Sequence, residues 1–186
     1  MNIAVDIDDT LVNTFEYFMP FVSEYFNVPL DYLEKNDISY DNTPPEWNMD
    51  MEAFAHVYFD RYVPATPPKK GAKEALEELR RRGHRIIIVT HRNNRLYKDC
   101  YKTTEEELHN CGFQYDDLIC TDEKGPACQN AGIGLLIDDT VSNCDEVSSL
   151  GIPVILFTSR ANSSSNAGYK RVSCWDEILA LPELSV

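Results

Sequence analysis

No apolar run in the chain approaches the roughly 20 residues that a membrane-spanning helix needs, so a membrane is not an expected partner. Low-complexity tracts and internal repeats are also missing, which leaves an ordinary globular chain. The six cysteines (Cys100, Cys111, Cys120, Cys128, Cys144 and Cys174) form no Cys-x-x-Cys pair and have no histidine-rich segment to join, which argues against structural zinc. Residues 1–5 form a short apolar stretch that runs at once into aspartates, unlike a secretory leader. A disulfide framework is therefore not expected, and reduced thiols in a cytoplasmic protein are. Positive charge is scarce: 17 Lys and Arg face 31 Asp and Glu, a formal charge of −14, so nucleic acid is a poor partner. A phosphorylated small molecule stays open, because a metal ion and local amides can reverse the field at one site.

What the chain does have falls into two unlike parts. Residues 14–68 hold 13 of the 20 aromatic side chains, together with ten acidic residues and only two basic ones, Lys35 and Arg61. Helical spacing predicts short helices over about 14–26, 30–36 and 49–62, with the prolines of "SYDNTPPEWN" and "VPATPP" as breaks. Phe18, Phe21, Tyr25 and Phe26 recur at that spacing and read as the core of a small helical subdomain, with Phe15, Tyr17, Trp47 and Phe54 as candidates to reach a cleft.

From residue 70 onward helices and strands alternate. "KGAKEALEELRRRG" is amphipathic, with Ala75, Leu76 and Leu79 on one face and Gly83 as its stop. "RIIIVT" reads as a strand covered on both faces, followed by a helix over about 95–111. "DLICT", "IGLLID" and "PVILFT" are further strands, with helical segments after Lys124 and Thr140, and "NIAVDI" supplies the first strand. The expected fold class is α/β, a Rossmann-like parallel sheet flanked by helices. The expected division is a core of residues 1–13 and 69–186, with a helical cap of residues 14–68 inserted after the first strand.

Four strands end in polar residues: Asp6-Ile7-Asp8-Asp9-Thr10, Thr90-His91-Arg92, Thr121-Asp122-Glu123-Lys124 and Asp138-Asp139-Thr140. Ligands of open parallel sheets bind outside the carboxyl ends of the strands, so these groups should converge on one rim. Asp6 and Asp8 beside Asp138 and Asp139 make an all-oxygen site suited to Mg²⁺, and Thr90 and Lys124 suit a phosphate.

In "DIDDT", "IIIVT", Lys124 and "LLIDD" the chain resembles the haloacid dehalogenase superfamily, whose four motifs stand in this order at strand ends. The resemblance implies a Mg²⁺-dependent phosphatase. Asp6 would be the nucleophile that forms an aspartyl-phosphate, and Asp8 the general acid and base. Thr90 and the His91 amide would hold the phosphoryl oxygens, and Lys124 would neutralise charge. Metal would be held by Asp6, the Asp8 carbonyl and a fourth-motif aspartate, Asp139 directly and Asp138 through water. "GAKEALEEL", "GLLIDDTVSN", "GIPVILFT" and "VSCWDEI" are most similar to the 5'(3')-deoxyribonucleotidase group and related bacterial nucleotidases, which implies a nucleoside monophosphate as substrate and cap aromatics stacked on its base. That group often carries Gly where Asp9 stands, and an aromatic where Thr14 stands beside Phe15. His91, Arg92, Phe15 and Trp47 are the candidate substrate contacts. Against these stand blander readings: Asp9 as a helix cap, Thr10 bonded within its turn, His91 merely exposed. A phosphatase for sugar phosphates or phosphoglycolate is the alternative, and a non-enzymatic receiver-like regulator a more distant one.

Overall fold

The computed structural model describes residues 1–35 and 50–185. The "SYDNTPPEWN" loop and Trp47 lie outside them. Six strands form one parallel sheet: β1 (Asn2–Val5), β2 (Arg85–Thr90), β3 (Asp117–Cys120), β4 (Ile133–Asp138), β5 (Val154–Phe157) and β6 (Lys170–Val172). Their order is β3-β2-β1-β4-β5-β6, so successive connections run outward on one side of β1 and then cross to the other. The reversal lies between β1 and β4, and the crevice outside their carboxyl ends is the site such a sheet offers a ligand.

Alternation along the strands explains the apolar runs. Ile3 and Val5 of β1, Ile86 and Ile88 of β2, and Leu135 and Ile137 of β4 enter the core on one face. Ala4, Ile87, Val89 and Leu136 enter the core on the other. A strand covered on both sides has no place for a polar side chain, and each fully buried Ile or Leu contributes about 1.5–3 kcal/mol. The first face is covered by α4 (Ala72–Arg81), which buries Ala72, Ala75, Leu76 and Leu79. Gly83, at φ +84°, closes that helix, and the His84 amide turns back to the Leu79 carbonyl. The helices α6 (Lys124–Asn130) and α7 (Val141–Ser149) bury Cys128 and Val147 on the opposite face. The short β6 and the closing helix α8 (Trp175–Leu179) complete the core, and three-residue β6 carries too little pattern to be read from sequence.

Between β1 and α4 the chain leaves the sheet through α1 (Thr14–Phe26), α2 (Leu30–Lys35) and α3 (Met51–Tyr62). It returns beside its point of departure: the Asn13 amide donates to the Pro67 carbonyl at 2.9 Å, and the Lys69 amide to the Leu11 carbonyl at 2.8 Å. The rings of this excursion pack together, with Phe18, Leu33, Phe54 and Val63 at the centre, but Tyr97 and Cys100 belong to the same cluster. Those two come from beyond β2. The helix predicted over about 95–111 begins only at Cys100, as α5 (Cys100–Asn110), because Asp99 caps it by accepting from the Lys102 amide at 3.0 Å. Ahead of it, Asn93 and Asn94 hold a turn through the Arg95 and Cys100 amides and leave Tyr97 against the cap. Asp60 of α3 accepts from the Lys98 amide and the Thr103 hydroxyl, and the His56 ring meets the Arg95 carbonyl at 2.6 Å. One flank of the cap is thus fastened to the core.

Candidate active site

The three aspartates of "DIDDT" diverge as soon as β1 ends. The Asp6 amide still bonds to the sheet, donating to the Ile137 carbonyl at 3.0 Å. The chain then curls, with the Leu11 amide on the Ile7 carbonyl at 2.8 Å, and the Trp175 indole fixes the curl from behind by donating to the Thr10 carbonyl at 3.1 Å. Asp9 sits at φ +55°, a left-handed conformation that Asp tolerates and Gly adopts freely. Its carboxylate accepts from the Phe15 amide at 3.1 Å, capping the first turn of α1 from six residues away. The Thr10 hydroxyl was expected to bond within the turn; it is buried and has no partner among the described residues, and only its amide closes the turn.

Asp6 and Asp138 share one ammonium. Lys124, the first residue of α6, lies fully buried with Nζ 2.5 Å from Asp6 Oδ1 and 2.6 Å from Asp138 Oδ2. Burial alone would strip its proton, but Asp138 and Asp6 override that and hold it charged. Asp138 is saturated: Oδ1 also accepts from the Thr140 amide at 2.8 Å, and both oxygens accept from Asn143 Nδ2 at 3.1 Å. Asp139 is not. Among the described residues the Thr140 hydroxyl approaches its Oδ1 only to 3.5 Å and Ser159 is its other side-chain neighbour, while Asn162 holds its backbone carbonyl at 2.6 Å.

Oxygens of Asp6, Asp138 and Asp139 all lie within 4.8 Å of one another, and all three residues are buried. Three carboxylates against one lysine leave about two negative charges over. Burial, with Asp138 and Asp8 adding to it against Lys124, pushes Asp6 up to about 7. Burial, Asp6 and Asp138 push Asp139 well above the carboxylate range. Thr90, at the tip of β2, is buried at the cavity wall, and His91 beside it is held below its ordinary value by burial and by Lys124.

Asp8 is paired with a different cation. Arg92 grips its carboxylate with Nη2 2.8 Å from Oδ1 and Nε 3.1 Å from Oδ2, and the Thr14 hydroxyl donates to Oδ1 at 2.8 Å. Burial would raise its pKa, but the Arg92 guanidinium overrides it and holds the carboxyl below the usual range. Arg92, expected among the substrate contacts, is one of the residues that line the cavity over this site. It is buried, and its other nitrogen is committed to Glu107, 2.6 Å away.

Above these residues is a cavity of about 520 Å³. Asp6, Asp8, Thr90, Lys124 and Asp139 line its floor; Phe15, Phe18, Met19, Val22, Met51 and Phe54 line the cap side, with His91, Asn93 and Arg95 also on the wall. Tyr17 is not among the lining residues, and Trp47 lies outside the described ones. Phe15 stands at the wall with the Arg160 guanidinium 4.8 Å from its ring centre. Sequence reasoning missed Thr14, Glu107 and Asn143. For Asn143 a signal was present, an Asn on the first turn of the helix that follows "LLIDDT". Glu107 gave none, since a glutamate in "TEEELHN" reads as a solvated face.

No curated protein matches this sequence. Solved structures do. A haloacid dehalogenase family hydrolase from Deinococcus radiodurans R1, with bound phosphate and sodium, is 16% identical with a TM-score of 0.66, covering 98% of this chain and 95% of that one. CbbY from Rhodobacter sphaeroides, a mutant in complex with xylulose-(1,5)bisphosphate, is 15% identical with a TM-score of 0.64 over 100% and 99% of the two chains. A haloacid dehalogenase superfamily hydrolase from Ehrlichia chaffeensis is 16% identical with a TM-score of 0.59 over 95% and 93%. At these identities the likeness establishes the fold, an α/β sheet of the haloacid dehalogenase type. The family "5' nucleotidase, deoxy (Pyrimidine), cytosolic type C protein" matches residues 1–183. With a match along nearly the whole chain, the protein belongs to this family and is a phosphatase.

Proposed function

We propose that the protein hydrolyses a phosphate monoester through an aspartyl-phosphate on Asp6, with a divalent cation, Mg²⁺, as cofactor and a nucleoside 5'-monophosphate as substrate. The observation that carries the reading is the surplus of negative charge buried under an apolar chamber. Asp6, Asp138 and Asp139 outnumber Lys124 by two formal charges, a surplus that together with burial raises the pKa of Asp6 and Asp139 without a metal and fits a divalent cation bound to hard oxygen ligands. Asp6 and Asp139 would hold it with the Asp8 carbonyl, because both Asp138 oxygens are already hydrogen-bonded. The same engagement suits Asp138 to orient Lys124 and bound water. Once bound, the cation would offset charge on the phosphoryl oxygens.

The chain's own groups then divide the work. An Asp6 carboxylate oxygen attacks phosphorus, the bond from phosphorus to the leaving oxygen breaks, and that oxygen takes a proton from Asp8, which must enter the step protonated against the pull of Arg92. In the second half, Asp8 removes a proton from water as it attacks phosphorus. The phosphorus–Asp6 bond breaks, leaving phosphate and a free Asp6. Lys124 keeps Asp6 from drifting and offsets charge beside it, and Thr90 supports the phosphoryl oxygens.

The cap side of the cavity favours a ring-bearing leaving group over a sugar phosphate. Phe15, half-buried at the wall, offers its ring to a base, the buried Phe18 and Phe54 add only an apolar lining, and Asn93 and Arg95 offer polar atoms. The test is phosphate release with Mg²⁺ from dUMP, dTMP, dGMP, the matching ribonucleotides and several sugar phosphates. Preference for nucleotides, lost by at least about 10³-fold in a folded Asp6→Asn variant, supports the reading. Equal turnover of every ester would overturn the substrate, and an active Asp6→Asn variant would overturn the nucleophile.

A further inference from the structure

Asp8 is held by a network of four polar side chains, Arg92, Thr14, Thr104 and Glu107, that the chemistry above does not use. Arg92 holds both Asp8 oxygens in its fork, at 2.8 and 3.1 Å. Behind it, Nη1 meets Glu107 Oε2 at 2.6 Å and the Thr104 hydroxyl at 3.5 Å. From the front, the Thr14 hydroxyl donates to Asp8 Oδ1 at 2.8 Å. Arg92 is 3% exposed, and Glu107 and Thr104 are fully buried. A buried ion pair of this sort adds little net stability, since well-packed apolar side chains of like size often do as well. What it supplies is direction. A planar fork engaging two oxygens at once fixes both the position and the plane of a carboxylate, which a single point charge does not.

Building on the function proposed above, we infer that Arg92 is a positioning residue that aims the Asp8 carboxylate at the reacting oxygen, and that Glu107 is the strut that keeps Arg92 from turning toward the phosphate. The hydrogen bonds also single out the working atom. Oδ1 accepts from both Arg92 and Thr14, which fills its two lone pairs; among the described residues Oδ2 accepts only from Arg92 and retains one. Oδ2 is the oxygen left to exchange a proton with the leaving group and with water. Glu107 lies one helical turn beyond Thr103–Thr104 on α5, so the strut rests on a rigid element rather than on the loop that carries Arg92.

This role separates from a merely structural one by its dependence on the leaving group. A nucleoside leaves as a poor alkoxide and needs a well-aimed acid; 4-nitrophenolate leaves without one. The experiment measures single-turnover phosphoryl transfer from dUMP and from 4-nitrophenyl phosphate, both with Mg²⁺, in the wild type, the paired variant Arg92→Met/Glu107→Leu, and Arg92→Lys. The paired change removes both buried charges together, so neither is stranded. The expected result is a loss of about 10²-fold or more with dUMP, the size of a general-acid contribution, and less than about threefold with 4-nitrophenyl phosphate. Inhibition by inorganic phosphate should be unchanged, because Arg92 does not touch the phosphoryl group. Arg92→Lys keeps a charge beside Glu107 but not the fork, and should show the same selective loss at about tenfold. Equal losses on both esters, or no loss on dUMP in either variant, would overturn the inference while leaving the phosphatase reading intact. A wild-type protein that releases phosphate from neither ester would bring down both.

Discussion

Replacing Lys124 with methionine tests the electrostatic logic of the site most directly. Its ammonium is fully buried and bonded at 2.5 and 2.6 Å to two buried carboxylates, so Lys124→Met strands both charges while filling nearly the same volume. Breaking a buried pair from one side costs about 3–5 kcal/mol. For a chain of this size each kcal/mol moves the melting temperature by about 2–4 °C, so a fall of about 6–20 °C is expected in EDTA at pH 8. The fall should be smaller at pH 6, because Asp6, already at about 7 with the lysine present, then protonates rather than staying charged and unpaired. The partner change Asp138→Leu in the same background should recover about 1–3 kcal/mol, the usual coupling between groups in contact. Thermal unfolding followed by circular dichroism at both pH values reads all of this. A loss below about 2 °C at pH 8, or a loss equal at the two pH values, would mean that the ammonium does not hold this carboxylate pair.

Two further outcomes follow from the same cluster. Asp6 has a folded-state pKa near 7, above its unfolded value near 3.8, so the metal-free protein should lose stability as pH rises from about 4 through 7; thermal melts in EDTA that show Asp6→Asn and wild type converging at pH 5 and separating at pH 8, with the variant higher, would bear this out. Mg²⁺ at a hundred times its dissociation constant should add about 2.7 kcal/mol at pH 8, and its binding near pH 6.5 should release protons that calorimetry in buffers of different ionisation heat detects.

Much of the fold and of the site's floor was legible because each rested on local chemistry. A strand buried on both faces must read as an unbroken apolar run, and "NIAV", "RIIIVT" and "IGLLID" did. A carboxylate at the end of such a run has only the rim to occupy, so Asp6, Thr90 and Asp138 could be placed before any coordinates. Arg92 could not. Two residues past Thr90 it reads as a candidate substrate contact, and only the three-dimensional approach of α5 supplies the Glu107 that pairs with it. The start of α5 was misplaced for a related reason: the "NNRLYKD" stretch has helical composition, but side-chain bonds from Asn93, Asn94 and Asp99 capture the backbone amides first. β6 pairs over three residues, below the length at which alternation carries information.

The way the cap joins the sheet bears on how such enzymes diversify. Its two ends are zipped together, Asn13 to Pro67 and Leu11 to Lys69, so the sheet meets the insertion as a closed stem whatever its length. Joining ends already in contact adds little closure entropy as the loop between them lengthens. A different helical insertion could therefore be grafted at residues 14 and 66 without disturbing Asp6, Lys124 or Asp138. The constraint lies elsewhere, at the seam where Asp60 and His56 grip residues 95–103. A transplanted cap should arrive together with its own version of that second segment. The inserted helices and residues 95–103 are thus two distant pieces of sequence that depend on one another.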